Sequence, residues 1–220
     1  MSRPSRLLPL ALLLGTAVFP GRAGAFELNA AVWPRESFPL PIHLRPEMPG
    51  GMNREQLVVD ISDAFAQWNA VPCSAARLAL DGDTTTPFAV DNEQVIGWVS
   101  DASTWVYGNA SAGATIIDVI DPAGPRVDIA FNDVTFTWRD GANTFVVPGT
   151  TIDAAHRLEI DPRSVITHES GHLLGLAHPI PGNPTSERDP NATMSYALLP
   201  NAQQASLAGD DKLGICSKYW

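Results

Sequence analysis

The chain of 220 residues carries 14 basic against 24 acidic side chains, a formal net charge of −10. With no basic cluster, that balance excludes nucleic acid and anionic membranes as expected partners and leaves proteins and peptides. The length suits one domain able to bury a sizeable core.

Arg3 and Arg6 precede an apolar run from Leu7 to Phe19, and Ala23-Gly24-Ala25 follows it. A basic start, an apolar middle and a small-x-small end read as a secretory signal peptide over residues 1–25. The run is too short to cross a bilayer comfortably, although an uncleaved anchor is the alternative reading. No later stretch is apolar enough to span a membrane. The expectation is an exported monomer without membrane association, extracellular or, from a Gram-negative source, periplasmic. Its mature domain would occupy 26–220 and start at Phe26. Losing Arg3, Arg6 and Arg22 with the signal would take the net charge from −10 to about −13.

Within the mature chain, Pro41–Leu44 is the first predicted strand. Leu57, Val58, Ile61, Phe65 and Trp68 then recur at helical spacing, which predicts an amphipathic helix over 53–68. Short β-branched or aromatic runs at Arg77–Leu80, Ala114–Ile120 and Val127–Phe131 predict further strands, with weaker candidates at Asn143–Val147 and His156–Ile160. A second helix starts at Asp161-Pro162, a capping aspartate followed by proline at the first helical position, and stops at Gly175. A third covers about 207–219. Strands placed mostly ahead of the main helices predict an α+β domain with one mixed sheet. The two cysteines, Cys73 and Cys216, form one disulfide if the chain is exported, or stay as two buried thiols. Two thiolates alone cannot fill a four-coordinate zinc site.

Residues 168–178 read H-E-S-G-H-L-L-G-L-A-H. His168 and His172 are four apart, so a helix places both imidazoles on one face, one turn apart. Six positions further on, the same helix would point about 240° away around its axis. The helix must therefore end before His178, and Gly175 permits the left-handed turn that ends it. His178 can then close a metal site from a loop. Three neutral imidazoles leave a fourth position open on zinc, which lowers the pKa of a bound water toward ~7. Glu169, beside the first histidine, flanks the metal and can carry the water's proton to a leaving amine. A surface histidine cluster, or a metal store without catalysis, would not require that carboxylate.

This spacing, H-E-x-x-H-x-x-G-x-x-H, resembles the signature of the metzincin zinc peptidases. Ala192-Thr193-Met194-Ser195-Tyr196 resembles the family's methionine turn, which implies Met194 as an apolar base beneath the histidines. Leu207–Tyr219 and Asp63-Ala64-Phe65-Ala66-Gln67-Trp68 resemble matrixins. Pro179 and Met194-Ser195-Tyr196 look like serralysins, in which, as in astacins, the tyrosine two places after the methionine is an extra zinc ligand. Tyr196 takes that role or is a packing tyrosine. The resemblance implies a twisted mixed sheet, three main helices and a cleft between an N-terminal and a small C-terminal subdomain. It also implies one catalytic zinc, an ammonium at Phe26 paired with Asp210, and Asp211 hydrogen-bonded to the methionine turn. The alternative for Asp210 and Asp211 is a simple preference for a helix N-terminus.

Several departures accompany it. Cys73 follows Val71-Pro72 inside the domain and does not match the latency cysteine of matrixins, and little room is expected for a propeptide before Phe26. Only His43 and His156 remain for a structural zinc site, and each reads as an ordinary strand or loop residue. Calcium is conceivable at Asp81-Gly82-Asp83 or Asp118/Asp121, without a full loop pattern. Asn109 and Asn191 open sequons. The specificity wall would be Tyr196–Gln203, where Leu198 and Leu199 line a pocket or belong to the core. A secreted zinc endopeptidase is the leading expectation, and an inactive metal-binding or adhesive module on the same scaffold is the rival.

Overall fold

The computed structural model describes residues 26–89, 91–118, 124–141, 158–178, 192–195 and 205–220. Its elements are β1 (Glu27–Leu28), β2 (Leu40–Leu44), α1 (Arg54–Asn69), β3 (Leu78–Asp83), β4 (Val95–Val99), β5 (Gly113–Asp118), β6 (Arg126–Asn132), β7 (Phe136–Trp138), β8 (Leu158–Ile160), α2 (Pro162–Leu173), β9 (Leu176–Ala177) and α3 (Gly209–Lys218). Five strands form one mixed sheet in the order β3-β2-β4-β6-β5. Its pairs are parallel except β5–β6, so β5 is an antiparallel edge strand. Two small pairs accompany it, β1 with β9 and β7 with β8. Among the described residues, three α-helices and a mixed five-stranded sheet make the expected α+β domain.

Helix α1 starts where Asn53 accepts a hydrogen bond from Gln56 N at 2.8 Å, satisfying one orphan donor of the first turn. It buries Leu57, Ile61, Ala64, Phe65 and Trp68. Val58 packs at the margin of that face, partly buried. The core joins these residues to Ile42, Leu44, Ile96, Ile129 and Phe131 of the sheet and to Val165 and Ile166 of α2. Trp98, Phe131 and Trp138 pack edge-on or tilted with ring centroids 4.7–5.6 Å apart. Strands β4 and β6 are buried along almost their whole length, as expected of central strands covered on both faces.

The structure shifts some expected boundaries. β3 runs on through Asp81-Gly82-Asp83, so this stretch is a strand end paired with β2 and not a free acidic turn. There Asp83 binds Arg54, and Asp81 Oδ2 lies 3.8 Å from His43 Nε2. Asp118 closes β5, while Asp121, Asn143–Val147 and His156 lie outside the described residues. β4 has no counterpart among the expected strands because Gly97 interrupts its apolar run. In the fold, a Cβ at Gly97 would stand 2.8 Å from Arg45 Cβ, so the glycine allows close passage of a neighbouring chain.

Cys73, just beyond α1, is bonded to Cys216 of α3 across 143 residues. The chain-entropy account gives roughly 2–5 kcal/mol for a native bridge of this kind. Mass spectrometry of unreduced peptides is expected to find the Cys73–Cys216 pair, and the double serine variant to melt roughly 5–15 °C lower. Two free thiols in the native protein would contradict the fold. A second expectation concerns Asp60, fully buried on α1. Burial, partly offset by the Gln56 hydrogen bond, pushes its carboxyl up to about 6. A raised folded-state value means that its contribution is complete below the unfolded pKa and is lost as pH rises through about 6. The melting temperature of Asp60→Asn relative to the parent is therefore expected to rise between pH 4 and pH 7, as scanning calorimetry at several pH values would show.

Candidate metal centre

Asp161 caps α2, accepting from Ser164 N at 2.9 Å and Ser164 Oγ at 2.7 Å, and Pro162 occupies the first turn. From this start, His168 and His172 emerge on one face with ring centroids 4.7 Å apart. The helix stops at Leu173, and Gly175 takes φ +91°. A side chain there would strike Lys218 and the Ala31 carbonyl, so the turn requires glycine for both backbone and space. The reversed chain pairs as β9 with β1, and His178 follows at once. Its Nε2 lies 2.9 Å from His168 Nε2 and 3.0 Å from His172 Nε2.

The end of α2 is held by segments remote in sequence. Asn29 Nδ2 donates to His172 O and Leu176 O, both at 3.0 Å. Trp33 Nε1 donates to Leu173 O at 2.8 Å. Lys218 Nζ donates to Asn29 O and Gly175 O, both at 2.9 Å. With Gly175 N, which donates to His172 O at 2.9 Å, these bonds tie the carbonyls of the helix end and the turn to the N-terminal segment and to α3. None of the three residues was expected at the site, since single polar residues scattered along a chain carry no spacing signal.

Both α2 imidazoles are oriented through their other nitrogen. His168 Nδ1 lies 2.6 Å from Thr193 O, and His172 Nδ1 lies 2.9 Å from Leu176 O. A carbonyl only accepts, so each Nδ1 carries the proton and each Nε2 presents a lone pair. Burial holds His168 toward the neutral form; desolvation and the neighbouring imidazole push His172 down to about 4, and partial desolvation with the two imidazoles beside it pushes the more exposed His178 down to about 3. The two α2 lone pairs converge on His178 Nε2, and a cation among the three nitrogens would take a lone pair from each. Ligands on tetrahedral zinc stand ~3.3 Å apart, given Zn–N near 2.05 Å, which is close to the spacing found. Among the described residues, these three alone bring three ligand atoms together. His43 faces Asp81 and Glu93 without joining such a group.

Beneath the histidines lies the methionine turn. Asp211, buried at the start of α3, accepts from Thr193 N at 2.9 Å, Met194 N at 3.1 Å and Ala208 N at 2.9 Å. One carboxylate thus grips the turn whose Thr193 carbonyl orients His168. Met194 is buried, and a Cβ at Gly171 would strike its sulfur and lie 2.8 Å from Trp68 Cζ2. A glycine inside a helix costs about 1 kcal/mol against alanine, so its place between the two histidines is a readable signal of close approach.

Glu169 is buried and turns toward the edge strand β5, where Thr115 Oγ1 donates to Glu169 Oε2 at 2.6 Å. Burial pushes its carboxyl above the usual carboxylate range. Phe26 lies against α3, where a Cβ at Gly214 would be 3.1 Å from its ring. Asp210 stands one turn earlier on the same helix. Tyr196, Leu198, Leu199 and Asn191 lie outside the described residues, and Asn109 is exposed in the loop before β5.

The matrixin family model matches residues 33–220, the span that contains every metal-facing residue described above. Metalloendoproteinase 1-MMP of Arabidopsis thaliana is 32% identical over 80 residues, 36% of this chain. The match spans only 20% of that relative's length. Coverage of 33–220 by the family model, together with the histidine triad, places this chain in the matrixins, a family of zinc metallopeptidases.

Proposed function

We propose that the protein is a secreted zinc endopeptidase that cleaves proteins or peptides by attack of water, with Glu169 as general base. The observation that supports this most is the juxtaposition of three convergent imidazoles with a buried carboxylate on the same helix. His168, His172 and His178 would hold the ion. When bound, zinc polarises the scissile carbonyl and acidifies water. Glu169 takes the proton of the attacking water on a carboxylate oxygen and delivers it to the leaving nitrogen. Among the described residues β5 is the last strand of the sheet and lies beside Glu169, and an extended peptide can add there as a further strand. Tyr196, two residues after Met194, is proposed as an additional zinc ligand.

Export is proposed from the basic–apolar–small pattern of residues 1–25. Cleavage after Ala25 would leave an ammonium on Phe26, which packs on α3 one turn from Asp210. The proposal is that this ammonium pairs with Asp210, so that signal removal also completes the domain. An exposed pair of this kind contributes only about 0–1 kcal/mol.

Glu169→Ala is expected to keep the zinc content of the parent and lose nearly all hydrolysis of a denatured protein, because the carboxylate moves the proton without holding the metal. A variant within tenfold of the parent rate would sink the general-base role. His178→Ala is expected to lose metal, since one of three ligands is gone, as elemental analysis would show. A zinc-loaded parent that cleaves nothing in a peptide library would instead favour the inactive module. For the N-terminus, one extra residue before Phe26 and, separately, Asp210→Asn are each expected to lower activity or melting temperature. Full retention by both would remove that role.

A further inference from the structure

We propose that Thr115 is a positioning residue for Glu169, and that β5 sets the carboxylate through this hydroxyl and through the missing side chain at Gly113. The inference rests on the reading of Glu169 as the general base. Thr115 Oγ1 approaches Glu169 Oε2 at 2.6 Å and Glu169 O at 3.2 Å, so one hydroxyl spans both ends of the same residue. The short contact to Oε2 is that of a hydroxyl donating to a carboxylate. Gly113 lies two residues before Thr115, hence on the same face of the strand. A Cβ placed there would stand 2.7 Å from both Cγ and Oε1 of Glu169. The carboxylate thus fills the space that a side chain at 113 would take, while Thr115 holds its far oxygen.

The strand itself is fixed. Gly113 pairs with Phe131 and Thr115 with Ile129 on β6. Just ahead of it, Asn132 N donates to Ala112 O at 2.9 Å, and Asn132 Nδ2 to Ser111 O at 2.9 Å. Both Ile129 and Phe131 are fully buried, so the register of β5 is anchored in the core. With Oε2 occupied by Thr115, no described residue bonds Oε1. The proposal assigns that oxygen to the attacking water. A general base loses effect when its oxygen is displaced by about an ångström, on the order of a hundredfold in rate.

The test compares Thr115→Val, Thr115→Ser and Gly113→Ala with the parent in the full mature protein. Valine keeps the shape and removes the donor, and serine restores it. For Thr115→Val the expectation is parent-like zinc content, KM within about twofold, and kcat lower by about ten- to a hundredfold. Thr115→Ser is expected to recover most of the rate. Gly113→Ala is expected to lower kcat although the hydroxyl is present, because its methyl group displaces Glu169. Crystal structures of the metal-free proteins supply a readout independent of activity. The Glu169 carboxylate should leave its place in Thr115→Val and Gly113→Ala and keep it in Thr115→Ser. An unmoved carboxylate in both displaced variants, or a parent-like kcat in Thr115→Val, overturns the proposal. A parent that binds zinc and cleaves no peptide removes the endopeptidase reading, and the crystal comparison still decides whether Thr115 positions Glu169.

Discussion

The turn after α2 governs the rest of the molecule. It must reverse the chain within a few residues so that a third imidazole meets two that a helix has already aligned. Only a residue without a side chain fits at 175, where the φ is +91° and where Lys218 and the Ala31 carbonyl fill the remaining space. The result is His178 Nε2 held 2.9–3.0 Å from the Nε2 lone pairs of His168 and His172, a convergence that suits one shared cation. Carbonyls at 193 and 176 fix the α2 tautomers, and desolvation together with the neighbouring imidazoles resists protonation of His172 and His178. The fold therefore stores the geometry of a metal site in the positions of backbone atoms.

Those backbone atoms belong to segments far apart in the chain. The first strand and Asn29 come from the N-terminal edge, Lys218 and Asp211 from the last helix, and the methionine turn from between them. The Cys73–Cys216 bridge fastens α3 to the end of α1. Tyr219 adds to this, accepting from Trp33 N through its hydroxyl and from Ala75 N through its carbonyl. An error in docking α3 would thus reach His168 through Asp211 and Thr193, and His178 through Lys218 and Gly175. Met194 and Gly171 interlock so closely that a methyl group between them would have no room.

What the sequence made legible follows from what has a period or a fixed spacing. His168, His172, Glu169, Gly175 and His178 follow from helix geometry alone, and α1 follows from its apolar stripe. Cys73 and Cys216 were a pair by count, although not by necessity. Harder to read was β4, whose Gly97 resembles a break until Arg45 is seen beside it. Asp81-Gly82-Asp83 resembles a turn by composition and is the end of a strand, because pairing with β2 outweighs local preference. Thr115, Asn29 and Lys218 were illegible for a different reason. Each acts through one hydrogen bond across a large sequence separation, and no local pattern encodes such a contact.

The central claim is that His168, His172 and His178 hold one zinc ion through imidazole nitrogens. X-ray absorption at the zinc edge of the purified mature protein tests it directly. The account predicts one zinc per chain with three imidazole nitrogens at ~2.0–2.1 Å and otherwise only light oxygen ligands, from water and from the proposed Tyr196. Sulfur in the first coordination sphere, or fewer than three imidazoles, would contradict it.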